Sequence, residues 1–114
     1  MSPRHPSFGL EVKESGTTFY VHLLGDFDLA SVFQLEQALD RLRQNPVPRR
    51  VVIDLGRLTF LDSAGLRTIL KANERGRAEG FEVEVVRPRG PANRVFILTR
   101  AGHELNMIDP PELS

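Results

Sequence analysis

The spacing of hydrophobic and polar positions changes several times along this chain, and each change marks an element. In "FGLEVK" (8–13), Phe8, Leu10 and Val12 alternate with Gly9, Glu11 and Lys13, the two-residue period of a strand with one wet face. Ser15-Gly16 makes a turn. "TTFYVHLLG" (17–25) then alternates again, Phe19, Val21 and Leu23 against Tyr20, His22 and Leu24, so the two strands form a hairpin. Beyond "GDFDLA" the period becomes helical, with Val32, Leu35, Leu39 and Leu42 on one face. Ser31 followed by Gln34 is a capping-box pattern at the start of this helix, and Asn45-Pro46 closes it.

"RRVVIDL" (49–55) is a continuous apolar run, the pattern of a strand buried on both faces in a parallel arrangement, and it is the expected centre of the sheet. A second helix is predicted from Ser63 to Glu79, with Leu66, Ile69, Leu70 and Asn73 on one stripe and Gly80 at C′. "FEVEVV" (81–86) reads as a half-wet strand. "RPRGP" (87–91) turns the chain, with Pro91 in the first turn of a short helix over "ANRVFILTRAG" that stops at Gly102. A brief strand fits Leu105–Ile108, and the paired Pro110 and Pro111 argue against a final helix. The order β-β-α-β-α-β-α-β, joined by right-handed crossovers, predicts an α/β fold: an open mixed β-sheet with helices packed on it.

Length and composition narrow the function classes. The 114 residues have room for one domain, expected over 8–109 between a flexible N-terminal tail (1–7) and a C-terminal tail (110–114). Fifteen basic and fifteen acidic residues give no net field favouring nucleic acid or an anionic membrane. The absence of cysteine excludes disulfides, thiol chemistry and cysteine-ligated metal. No apolar run approaches the roughly eighteen residues of a spanning helix, and "MSPRHPSFGL" lacks the apolar core of a signal peptide. The expected setting is cytoplasmic, with no membrane contact.

Candidate chemistry concentrates where the central strand hands over to the second helix, at Asp62-Ser63-Ala64-Gly65-Leu66. Ser63 matches only the second half of a G-x-S-x-G nucleophile elbow, since Leu61 stands at the first glycine. The three histidines, His5, His22 and His103, read as tail, strand and loop residues rather than as a base. Neither phosphate-binding glycine motif is present. Asp26, Asp28 and Asp54 read as solvated carboxylates at strand ends and turns rather than as a metal site. Asp54 could stand where a phosphoreceiver domain carries its acceptor, but such domains place a helix between their first two strands, and this chain begins with a hairpin. No catalytic residue, metal or cofactor is expected. As a helix start the segment is partly explained by capping, which Asp62 or Ser63 does well. Capping leaves Gly65 unexplained: glycine in a first turn costs about 0.8–1 kcal/mol against alanine, so close approach of a backbone or a partner must offset it.

"VVIDLGRLTFLDSAGLRTIL", the upstream "LLGDFDLASVFQLEQAL" and the order of elements resemble the STAS domain, in particular the stand-alone bacterial anti-sigma factor antagonist, over residues 8 to 108. Asp-Ser-x-Gly-Leu after a buried strand is the most specific piece. The resemblance implies a transcription regulator of the stress-response kind that acts by partner switching. Ser63 would be phosphorylated by a partner that is both anti-sigma factor and GHKL-type serine kinase, and a PP2C-like phosphatase would reverse this. Asp28, Asp62, Ala64, Gly65, Leu66 and Arg67 would belong to the partner-binding surface, with Gly65 keeping the turn open to a close-fitting kinase. A STAS scaffold in a lipid-transport or stress-sensing complex, indifferent to the state of Ser63, is the alternative. The C-terminus is short of the final amphipathic helix usual in the family.

Overall fold

The computed structural model describes residues 8–42 and 48–110. The expected tail at 1–7, the helix stop at Asn45-Pro46 and the end of the C-terminal tail lie outside these residues. Five strands line up in sequence order as one sheet, β1 (Phe8–Ser15), β2 (Thr18–Phe27), β3 (Arg50–Leu61), β4 (Glu82–Val86) and β5 (Asn106–Ile108). The hairpin makes β1 antiparallel to β2, and the remaining neighbours are parallel. The expected open mixed sheet is therefore the observed one, with β3 at its centre.

Strand order explains where the helices lie. Each crossover from β2 onward moves one place in the same direction, so right-handed connections put every helix on one face of the sheet. That face is the core: Phe19, Val21 and Leu23 of β2, Val51, Ile53 and Leu55 of β3 and Val83 and Val85 of β4 form a single buried cluster with residues from all four helices. The helices are α1 (Val32–Leu42), α2 (Ser63–Glu79), α3 (Asn93–Thr99) and α4 (Ala101–Glu104). Helix α1 buries Leu35, Ala38, Leu39 and Leu42, and α2 buries Leu66, Ile69 and Ala72. Arg75 ties the two helices together, donating from Nη2 to Asp40 at 2.6 Å and from Nε to Glu79 at 3.2 Å. Burial works against its charge, but the two carboxylate hydrogen bonds outweigh that and raise the guanidinium above its ordinary value.

Four local expectations are corrected. Strand β3 does not end at Leu55 but runs to Leu61, and β2 continues to Phe27, because the two strands keep pairing through register shifts between His22 and Leu24 and between Gly25 and Asp26. Ser31 forms no capping box; it is buried, and its hydroxyl accepts the Asp28 amide at 3.0 Å and faces the carbonyls of Asp26, at the end of β2, and Asp28 as donor. The predicted helix over 92–102 is two helices, broken where Arg100 takes a left-handed conformation (φ 65°), and Gly102 sits inside α4 instead of ending the segment. Pro91 lies in the turn before α3, where its carbonyl accepts the Arg94 amide.

Candidate functional site

Three segments meet where β2 and β3 end: the loop after Phe27, the tip of β3 and the start of α2. Asp62 joins them. As N-cap of α2 it holds extended dihedrals, and its Oδ1 accepts the Gly65 amide at 2.8 Å. Its Oδ2 accepts the Leu29 amide from the loop at 3.2 Å, and its own amide donates to the Phe27 carbonyl at 3.3 Å. One carboxylate thus anchors the helix start and the loop at once.

Gly65 is explained by the same meeting point. A Cβ there would stand 2.6 Å from the Phe27 carbonyl oxygen and 2.8 and 2.9 Å from side-chain carbons of Leu61 and Phe27. The close approach inferred from the sequence is made by the chain's own backbone. Helix α2 can seat its first turn on the fully buried Phe27 only with a glycine at this position. Gly65 and Leu66 are both buried, so what they supply to a surface is position and not contact.

The other named residues spread around this anchor. Ser63 opens α2 and is exposed; Arg67 is exposed one turn later; Ala64 is half-buried, its carbonyl accepting the hydroxyl of the buried Thr68 at 2.9 Å. Asp28 lies on the loop side of the junction, with its Oδ1 accepting the Ala30 amide at 3.1 Å and the Ser31 hydroxyl at 3.2 Å. Thr59, on the strand leading in, donates to Asp26 at 2.6 Å. His22 hydrogen-bonds Asp54 across the β2–β3 pair, so the strand reading of that histidine stands.

Three further residues escaped the sequence reading. Leu29, Phe33 and Phe60 are 72, 60 and 48% exposed, on the loop, the first turn of α1 and the end of β3. Phe33 had a visible signal, being a large apolar residue off the Val32–Leu35–Leu39–Leu42 stripe. Phe60 had none, because its strand was not expected to reach so far. Of the three, Leu29 is tied directly to the junction, its amide bonded to the Asp62 that precedes the exposed Ser63. Among the described residues no helix is long and apolar enough to cross a membrane.

The family model described as MlaB, STAS domain, matches residues 10–109. An anti-sigma factor antagonist from Mycobacterium paratuberculosis is 30% identical over 94% of this chain and 88% of its own, with a TM-score of 0.76. SpoIIAA, an anti-sigma factor antagonist solved in its unphosphorylated form, is 23% identical over 93% of this chain and 90% of its own, with a TM-score of 0.74. The phosphorylated form of SpoIIAA, a Bacillus cell fate determinant, superposes over 93% of both chains at a TM-score of 0.69. The chain belongs to the STAS-domain family, on its branch of anti-sigma factor antagonists.

Proposed function

We propose that this protein frees a sigma factor by binding the anti-sigma factor that holds it, and that phosphorylation of Ser63 ends this binding. The supporting observation is the exposed Ser63 at the first position of α2, next to the Asp62 that holds the amide of the exposed Leu29 in the loop. The protein is a substrate and a binding module in this reading, as suits a family of regulators, and not an enzyme. Its partner is a GHKL-type ATPase acting as anti-sigma factor and serine kinase: the γ-phosphoryl group of ATP passes to the Ser63 Oγ, whose proton is lost, and ADP leaves. A PP2C-like phosphatase hydrolyses the ester. Asp28 and Arg67 flank the hydroxyl on the contact surface, while Asp62, Ala64, Gly65 and Leu66 hold it in place.

The charge arithmetic supports a switch without unfolding. A phosphoserine carries about 1.5 to 2 negative charges, and at a helix N-terminus the macrodipole favours an anion by roughly 0.3–1 kcal/mol. Helix α2 therefore keeps its shape. A partner docked over Ser63 would have to strip water from that phosphate or leave it unpaired beside Asp62, and a loss of about 3 to 4 kcal/mol lowers affinity by a hundred- to a thousandfold. SpoIIAA, with the same fold, has been solved in unphosphorylated and phosphorylated forms. The test uses wild-type, Ser63→Ala and Ser63→Glu baits against native lysate, followed by incubation of the purified ATPase with wild-type protein and ATP. A GHKL-type ATPase bound by the first two baits and lost from the third, and an acid-stable phosphate mapped to Ser63, are the expected results. Equal capture of one complex by all three baits would put the constitutive scaffold in place of the switch.

A further inference from the structure

The face of the sheet opposite the helices carries a site that the Ser63 switch does not use. Tyr20 and His22 of β2, Arg50, Val52 and Asp54 of β3 and Val86 of β4 alternate onto this face, and with Ile108 of β5 they line a groove of about 330 Å³. Val52 and Val86 are buried yet stand outside the main core, so they form a dry floor of their own. The rings of Tyr20 and His22 lie nearly parallel, 14° apart with centroids separated by 6.3 Å, a stacked pair that walls the groove.

The polar atoms of the groove are specifically disposed. His22 Nδ1 lies 2.9 Å from Asp54 Oδ2, and Asp54 Oδ1 accepts the Gly56 amide at 2.9 Å. A carboxylate only accepts, so Nδ1 carries the hydrogen, and in the neutral ring Nε2 is the acceptor on the wall. At the other end Arg50 gives its Nη2 to Glu84 at 2.5 Å, while its Nε–H is buried with no partner among the described residues. A buried donor without an acceptor is uncommon in a folded protein. Each charged group of the groove already has a partner, Arg50 in Glu84, Asp54 in the hydrogens of His22 Nδ1 and the Gly56 amide and the rim residue Asp109 in Arg87 at 3.0 Å, so the groove offers neither a spare cation nor a spare carboxylate oxygen to an ionic ligand.

We propose that this groove binds a small, uncharged aromatic compound carrying an O–H or N–H donor for His22 Nε2 and an oxygen acceptor for Arg50 Nε. The volume, at the lower end of the roughly 300–1,000 Å³ range of small-molecule sites, admits one ring with short substituents. The valine floor and the Tyr20–His22 wall take the ring, and the two polar atoms set its direction. The groove lies roughly 20 Å along β3 from Ser63, so the proposal stands whether or not the serine switches.

The test is an NMR titration of the full-length protein, labelled at methyl groups and nitrogen, with 4-hydroxybenzamide as the probe and toluene as the control lacking both polar groups. The expected result is a shift of the Val52, Val86 and Ile108 methyls and of His22 Nε2 with a Kd of about 1 mM, and still signals from Ser63 and Arg67. His22→Phe keeps the ring and removes the acceptor, and it should weaken binding about tenfold. If that variant fails to fold, the response of His22 Nε2 in the wild type is decisive by itself. No methyl shift at roughly 10 mM probe, a still His22 Nε2, or toluene binding as tightly as the probe would each overturn the assignment.

Discussion

Gly65 has no side chain because Phe27 stands where one would be. The 2.6 Å gap between a Cβ and the Phe27 carbonyl oxygen involves backbone on both sides, so no rotamer change relieves it. Gly65→Ala should cost about 1–3 kcal/mol, read as a lower urea midpoint, even though alanine is the better helix former. Asp62 divides its two oxygens between α2 and the loop. Asp62→Ala should therefore lose about 1 kcal/mol, whereas Asp62→Asn, which keeps an acceptor for the Gly65 amide, should stay within a few tenths of wild type; chemical denaturation of the two variants checks this. The position of Ser63 was legible from its place between strand and helix. The reason for Gly65 was legible only as a puzzle, since its neighbour Phe27 is far away in sequence and no local pattern links them.

Elements were readable to the degree that their ends carry chemical punctuation. Helix α2 has both marks, Asp62 at the start and Gly80 at the end with φ 94°, and its expected bounds are the observed ones. Strand β3 lacks an end mark: its continuous apolar run stops at Leu55, and only pairing with β2 carries the strand on to Leu61. The break between α3 and α4 has no glycine or proline to announce it, because a non-glycine residue, Arg100, adopts the left-handed conformation there. That conformation costs an L-residue roughly 1–2 kcal/mol, part of which glycine's greater unfolded freedom would cancel. Arg100→Gly should accordingly raise stability by about 0.5–1 kcal/mol, seen as a higher denaturation midpoint with the same slope.

Across the molecule stability is unevenly distributed. The long β2–β3 pair is packed between β1 and β4 and covered by α1 and α2, whereas the last third ends in a four-residue helix and a three-residue edge strand. Ile97 and Leu98 of α3 are largely exposed. Native-state hydrogen exchange should show amides of Val21, Leu23, Val51 and Ile53 opening only with global unfolding, and those of α3, α4 and β5 opening locally at lower free energy. Equal protection in both regions would contradict this. The sheet itself was legible because alternating and continuous apolar runs report its two kinds of strand. The groove on its second face was not, because His22, Asp54 and Arg50 look in sequence like scattered polar positions and become neighbours only through strand register. The Asp62 carboxylate has a last consequence at this scale. By fastening the loop to the helix it fixes the junction when the chain folds, so under the proposed function a partner arriving at Ser63 has no segment to set in order. Encounter would then be limited by diffusion and by the mutual orientation of the two surfaces, with no ordering step to slow the proposed switch.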